Sequence, residues 1–218
     1  MRINQFVAQA TGLSRRKSDK LIKDGQITVN NISAYLGQQV EAKDIISYNS
    51  QTLKLAKSHI TLLLNKPIGY VCSRDGQGSK TIYELIPDNY RKLKSVGRLD
   101  KDSSGLIVLT DDGQLTQKLS HPSFNKQKIY LVKLNRDLTI EEINQLQNGQ
   151  IRLDKKPSLL KIKKQRAKLY QVTISEGRNR QIRRTFDKLN ILVTELNRIQ
   201  FGPYKLADLK NQIWIKLS

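Results

Sequence analysis

The sequence predicts an α+β protein: a small helix-helix-hairpin module followed by a larger domain on a mixed, mainly antiparallel sheet. Three observations carry this. Helical apolar spacing opens the chain, strand-like apolar runs recur from about residue 60 to the end, and helical stretches and hairpins separate those runs irregularly.

In the first ten residues Ile3, Phe6, Val7 and Ala10 recur at i, i+3, i+4, i+7, so one face of a helix is apolar. Gly12 closes that helix, and Ser14 caps a second one running to about Asp24, before Gly25. "QITVNNISAYL" then alternates apolar and polar residues, with Asn30-Asn31 where a tight hairpin turn belongs. This module spans residues 1–48, and the polar stretch 49–58, "NSQTLKLAKS", reads as a linker. The second domain, residues 59–218, opens with "ITLLLN" and "KPIGYVCS". Pro67 and Gly69 force a turn there, and strand propensity then resumes. Further strand patterns lie at 106–110, 128–134, 168–175, 191–196 and 213–217. Thr139 and Glu142 form a capping box opening a helix that Gly149 ends. Around 180–189, Ile182, Phe186 and Leu189 make an apolar stripe with Arg183 and Arg184 beside it.

The chain carries 39 Lys and Arg against 19 Asp and Glu, a formal net charge of +20. The excess is spread, +5 over residues 1–58 and +15 over residues 59–218, which argues for a long cationic surface rather than one basic tail. Polyphosphate backbones reward such a surface through counterion release. The first turn of the second helix holds Arg15, Arg16 and Lys17, where the helix dipole disfavours cations unless an anion sits there.

Several function classes drop out. A lone Cys72 excludes an internal disulfide framework and fits a reducing cytosol, so a cytoplasmic location is expected. Two His and one Cys are too few for a Cys/His zinc site, while sites built from carboxylates are not excluded. The N-terminus lacks a signal-peptide core, and no stretch nears the ~18 apolar residues of a membrane span. There is no phosphate-binding G-x-x-x-x-G-K-[ST] loop, and "GQG" at 76–78 lacks the rest of a dinucleotide fingerprint. Ser14-x-x-Lys17 and Ser123-x-x-Lys126 stand without the partner motifs a Ser-Lys enzyme needs, and no serine sits in G-x-S-x-G. His59 and His121 are isolated and read as structural. What remains is the carboxylate pair in "SVGRLDKDSSGLIVLT". Asp102 and Ser103 suffice to start a turn, and Asp111-Asp112-Gly113 to end the strand that follows. Neither accounts for Asp100, set beside Leu99 between Gly97 and Gly105.

Two resemblances organise these residues. "RINQFVAQATGLSRRKSDKLIKDGQITVNN" resembles the RNA-binding module named after the fourth protein of the small ribosomal subunit; this implies that Arg15, Arg16 and Lys20 face structured RNA. "SVGRLDKDSSGLIVLTDDG" resembles the signature of bacterial ribosomal-RNA pseudouridine synthases, the small-subunit type A and its large-subunit relatives. "LLLNKPIGYVCSRD", "HPSFNKQKIYLV", "ISEGRNRQIRRTF" and "LNRIQFGPYKL" fall in that family's order. The resemblance implies isomerisation of a uridine in folded ribosomal RNA, with no external cofactor or metal and with Asp100 as nucleophile toward either the base or the sugar. It matches Arg183 to the basic residue that keeps the carboxylate ionised, and Tyr130 to the tyrosine that stacks on the uracil and helps remove the departing proton. Arg98 is suited to holding a phosphate or filling the gap left by an extruded base. Arg178, Arg180 and Arg184 would track the backbone, and the basic run 155–168 either joins them or guards a sheet edge. Thr185 and Asn190 depart from the family's usual Met and Gly, and Asn tolerates the left-handed conformation a helix end needs.

The partner so implied is ribosomal RNA, as a structured region or an assembly intermediate, acted on by a monomer. The rival reading is a ribosome-assembly protein that keeps the fold and binds RNA without catalysis. The presence of Asp100, Tyr130 and Arg183 together speaks against it. A DNA-binding regulator lacks support, since no recognition-helix dimer pattern is evident.

Overall fold

The computed structural model describes residues 1–55, 59–121, 124 and 126–217. The chain packs as two units, residues 1–60 with 111–113, and residues 61–110 with 114–218.

In the first unit α1 (Ile3–Thr11) ends at Gly12, whose φ of 75° is the left-handed stop the sequence predicts. Helix α2 (Arg15–Lys23) begins on Ser14, whose hydroxyl accepts the Lys17 N–H at 3.2 Å. Strands β1 (Ile27–Val29) and β2 (Ile32–Ser33) join through Asn30 and Asn31, both at positive φ, as the tight hairpin turn requires. Strands β3 (Ile46–Tyr48) and β4 (Gln51–Thr52) complete a four-stranded sheet in the order β2-β1-β3-β4. Ile3, Val7, Ile22, Ile27 and Ile46 fill the core beneath it.

Here the linker expectation is corrected. Asn49 and Ser50 form a second left-handed turn, Gln51–Thr52 pair with β3, and Leu53 packs on the core, so the module continues past residue 48. Polar side chains on a two-residue edge strand look like linker composition, because the pairing is made by backbone groups. Residues 56–58 of that stretch lie outside the described residues, as do Pro122, Ser123 and Asn125 of "HPSFNKQKIYLV".

The second unit holds β5 (Thr61–Lys66), β6 (Lys94–Val96), β7 (Ser104–Thr110), α3 (Gly113–Ser120), β8 (Lys128–Leu134) and α4 (Ile140–Gln147). There follow β9 (Arg152–Leu153), β10 (Lys156–Pro157), β11 (Lys161–Arg166), β12 (Leu169–Ile174) and α5 (Gln181–Asp187). The chain closes with β13 (Val193–Phe201), β14 (Tyr204–Lys205) and β15 (Trp214–Lys216). One nine-stranded sheet runs β11-β12-β8-β13-β7-β5-β15, with β14 on β13 and β6 on β7. Among the described strand pairs of this sheet only β13–β7 is parallel, so the sheet is mixed and mainly antiparallel. Its centre is covered on both faces, since Leu62–Leu64 and Leu106–Leu109 are all fully buried; this explains their unbroken apolar runs.

Other expectations meet mixed outcomes. The capping box holds: Thr139 accepts the Glu142 N–H at 3.2 Å, and Glu142 accepts the Thr139 N–H at 2.9 Å. Asn190 adopts φ 56° at the end of the 180–189 segment. The strand expected after Gly69 does not form; Val71 makes a single bridge to Thr81 instead. The basic run lies on β11, the outer strand, with Lys161, Lys163, Lys164 and Arg166 exposed and a register irregularity between Lys164 and Arg166, both devices that blunt a sheet edge. No described helix is long and apolar enough to cross a membrane.

Candidate active site

The loop between β6 and β7 is anchored from beneath. Lys66 at the end of β5 is fully buried, and its ammonium donates to the carbonyls of Pro67 and Ser103. Burial pushes the Lys66 ammonium below its ordinary range, partly offset by the nearby acids Asp100 and Asp102. Buried Cys72 exchanges hydrogen bonds with Leu99, accepting its N–H at 3.4 Å and donating to its carbonyl at 3.5 Å. The Gly69 N–H donates to the Lys101 carbonyl at 2.8 Å, and the Ser103 N–H to that of Asp100 at 3.1 Å. Thus the "NKPIGYVC" segment holds the carboxylate loop in place. Gly105 lets the loop enter β7: a Cβ there would lie 2.3 Å from the Arg198 carbonyl, and its φ is +106°.

So held, Asp100 lines a cavity of about 530 Å³, together with Arg98, Tyr130, Arg178, Arg180 and Arg198. Its carboxylate is about one-third exposed (35%), open enough to meet a ligand. Tyr130 is buried in β8, paired across to Arg198 on β13 and Val172 on β12.

The guanidinium beside Asp100 is not the expected one. Arg180 Nη1 lies 3.7 Å from Asp100 Oδ2, and Nη1 and Nη2 fork onto Asp102 Oδ1 and Oδ2 at 3.1 and 3.0 Å. Arg183 instead donates to the carbonyls of Asp102 at 2.8 Å and Val193 at 2.7 Å, its Nε stands 3.2 Å from Asp102 Oδ2, and it does not line the cavity. The cause is local. Arg180 occupies the N-cap of α5 in the left-handed conformation, φ 45° and ψ 33°, within reach of both acids. Arg183 emerges from the helix itself and reaches the loop backbone at Asp102. Partial burial pushes the Asp102 carboxyl up, but the Arg180 hydrogen bonds and the charges of Arg183 and Arg180 outweigh it, leaving the group below its ordinary range.

The other basic residues divide. Arg98 is exposed on the cavity wall and has no hydrogen-bond or ion-pair partner among the described residues. Arg178 is a clamp: Nη1 donates to the carbonyls of Leu153 (2.8 Å) and Lys156 (3.3 Å), Nη2 to those of Pro157 (2.7 Å) and to Glu176 (2.9 Å). Arg184 is held by Asp154 at 2.6 and 3.1 Å. Buried Gln181 bridges Glu176 and Ser158, and Ser158 bonds Thr185, so the 176–185 segment is fixed to the 153–158 hairpin. In the first unit Arg15 donates to Asn4 at 3.1 Å, while Arg16 and Lys20 stand exposed. Lys66, Cys72 and Arg198 were given no site role from the sequence. Their signal was a Lys, a Cys and an Arg inside otherwise apolar strand-like runs.

Comparisons with known proteins place the chain in a family. Residues 60–188 match the RNA pseudouridylate synthase family and residues 1–46 the S4 domain. The chain is 35% identical to ribosomal large subunit pseudouridine synthase B of Bacillus subtilis (strain 168), over 95% of this chain and 88% of that one. It is 30% identical to the dual-specificity RNA pseudouridine synthase RluF of Escherichia coli (strain K12), over 100% of this chain and 76% of that one. A crystal structure of a pseudouridylate synthase superposes with a TM-score of 0.71 at 30% identity, covering 100% of this chain and 96% of that one. With the matched span containing the carboxylate loop, the tyrosine strand and the arginine helix, the chain belongs to the RNA pseudouridylate synthase family, isomerases that convert uridine to pseudouridine within RNA.

Proposed function

We propose that the protein isomerises a uridine of ribosomal RNA, with Asp100 as nucleophile. The observation that carries this is the Asp100 carboxylate on the wall of a cavity large enough for a nucleoside, beside Tyr130 and the Arg180 guanidinium. A uridine stacked in a helix cannot enter, so the target is extruded first. The exposed Arg98 guanidinium, free of protein partners, is suited to a phosphate beside the extruded nucleotide or to the vacated stack. Asp100 then attacks, the base turns in the cavity, and Tyr130 stacks against it and assists loss of the C5 proton. A guanidinium keeps the carboxylate charged without competing for the proton, and here Arg180 stands nearest. Arg183 acts through Asp102, holding the loop that carries Asp100. The first unit contributes a second RNA contact through Arg15, Arg16 and Lys20. On this reading the protein acts in the cytoplasm, with a monomer as the default state, on rRNA met as a folded segment or assembly intermediate.

Asp100→Asn tests the reading, because phosphate contacts bind while the carboxylate does chemistry. Carbodiimide adduct mapping is applied to rRNA from cells lacking the gene, complemented with wild type or variant. The expected outcome is a stop restored by wild type and absent with the variant, at unchanged RNA affinity. Full modification by Asp100→Asn would refute the nucleophile. A wild type that restores no stop yet binds rRNA would establish the rival assembly role.

A further inference from the structure

Among the cations that line the cavity, the scheme above leaves Lys128 and Arg198 unused. Lys128 and Tyr130 are two residues apart on β8 and share a face of the sheet. Across the ladder Arg198 pairs with Tyr130 and Phe201 with Lys128, and all four line the cavity. Arg198 is 1% exposed. Its Nε donates to the Leu106 carbonyl at 2.8 Å, while its Nη2 is buried with no partner. The guanidinium lies 4.8 Å from the Phe201 ring centroid, and the Lys128 ammonium 5.5 Å from the same centroid. Lys128 donates to the Glu176 carbonyl at 3.0 Å, but the Glu176 carboxylate is taken by Arg178 and Gln181. Among the described residues no carboxylate forms an ion pair with either cation. Burial, and then the Arg198 charge, push the Lys128 ammonium below its ordinary range.

A buried guanidinium with an orphaned donor, beside a half-buried ammonium and with no counterion for either, is costly to a fold. The cost is explained when an anion completes the site. We propose that Arg198 and Lys128 form a cationic wall that takes up the negative charge developing on a carbonyl oxygen of the target uracil. The inference rests on the reading that this cavity receives the extruded uridine, and it holds for either route. Attack of Asp100 at C1′ breaks the C1′–N1 bond and leaves its electron pair on the uracil, shared by N1 and O2. Attack at C6 sends the C5–C6 π pair toward O4. Over the full cycle C1′–N1 breaks, C1′–C5 forms, C5 loses its proton and N1 gains one, so no outside reactant is needed. Donors fixed where charge develops are the most effective electrostatic contribution a site makes. The near-complete burial of Arg198, on the same sheet face as Tyr130, favours the base over a backbone phosphate as its partner.

The test uses the full chain with enzyme in excess over unmodified rRNA. It measures RNA affinity, the salt slope of binding, the single-turnover rate at saturating enzyme, and circular-dichroism melts. Lys128→Gln keeps a donor for the Glu176 carbonyl but loses the charge. Its saturated rate is expected to fall about 100-fold, with affinity within about threefold and the salt slope unchanged. Lys128→Arg is expected to recover most of the rate. Arg198→Lys, which keeps charge without the fork, should fall about tenfold; if it does not fold, the Lys128 pair decides. An unchanged saturated rate in Lys128→Gln overturns the proposal. So does a weakened affinity with a shallower salt slope at normal rate, which would assign the pair to a backbone phosphate. A wild type that makes no pseudouridine removes the underlying reading as well, and is told apart by the wild-type reaction alone.

Discussion

Arg16 and Lys20 on α2 are exposed with no partner side chain among the described residues, whereas Arg178, Arg180, Arg183 and Arg184 around the start of α5 are all engaged within the protein. Both clusters look alike in composition. Their difference lies in acceptors: the first faces none, while the second is surrounded by Asp100, Asp102, Asp154, Glu176 and a row of backbone carbonyls. A cation already satisfied by the fold has less to offer a phosphate, but it holds geometry. The first cluster therefore leaves its charge open to an anion, whereas the second uses its charge to fix the carboxylate loop and the 153–158 hairpin. Among the arginines that line the cavity Arg98 is the exception, exposed on its wall with no partner among the described residues.

The largest effect that separates the two clusters comes from Arg178. Removing its side chain leaves three carbonyls and Glu176 without their guanidinium, and its side chain is only 18% exposed. Arg178→Ala is expected to cost about 3 kcal/mol in urea unfolding, since hydrogen bonds to charged groups contribute ~1.5–3 kcal/mol each in gross terms and some water replaces them. A variant as stable as wild type would mean that the clamp contributes nothing. Smaller in energy is the joint replacement of Arg15, Arg16 and Lys20 by Ala. Here the melt should not move, since surface substitutions usually stay within ~0.5 kcal/mol. The log–log salt slope of RNA binding should fall by roughly 2–3, as expected for about three lost phosphate contacts. An unchanged slope would remove α2 from the RNA surface.

How much of this was readable in the sequence follows from what carries each feature. Side-chain patterns carry β5, β7 and β8, the Thr139 capping box, the Asn30-Asn31 turn and the apolar stripe of α5, and each was read with correct type and nearly correct bounds. Features made by backbone groups were hidden. The Asn49-Ser50 hairpin looked like a linker because Gln51 and Thr52 pair through main-chain atoms. The captivity of Arg178 depends on carbonyls of Leu153, Lys156 and Pro157, which no residue letter records. At the site, Asp100 and Tyr130 were identified from motifs and do share the cavity. The exchange of Arg180 for Arg183 as neighbour of Asp100 turns on one positive φ at a helix cap. Arginine rarely adopts that conformation, so nothing in the order of residues announces it.

The smallest effect is the sharpest probe of the division. Arg184 differs from Arg178 in that its partner is an exposed acid: Asp154 lies on the left-handed turn of the 153–156 hairpin, and the pair is open to solvent on both sides. The Arg184 hydrogen bond holds the Asp154 carboxyl below its ordinary range. The bond is thus fully present above the ordinary carboxylate value and is lost as pH falls through the lowered one. Asp154→Asn should leave the melting temperature at pH 7 within about 2 °C of wild type, as expected for an exposed pair, and any difference should vanish in acid, where wild type is protonated too. Its consequence for RNA is opposite in sign to every substitution above. Freed from its carboxylate, Arg184 becomes a cation like Arg16, and rRNA affinity should tighten by about threefold with a slightly steeper salt slope. Unchanged affinity would place Arg184 off the RNA path and confine the backbone-tracking role in this segment to the residues on the cavity wall. A weaker affinity would mean that the ion pair itself shapes the surface that RNA meets, and the contrast between spent and unspent arginines would then need a third class.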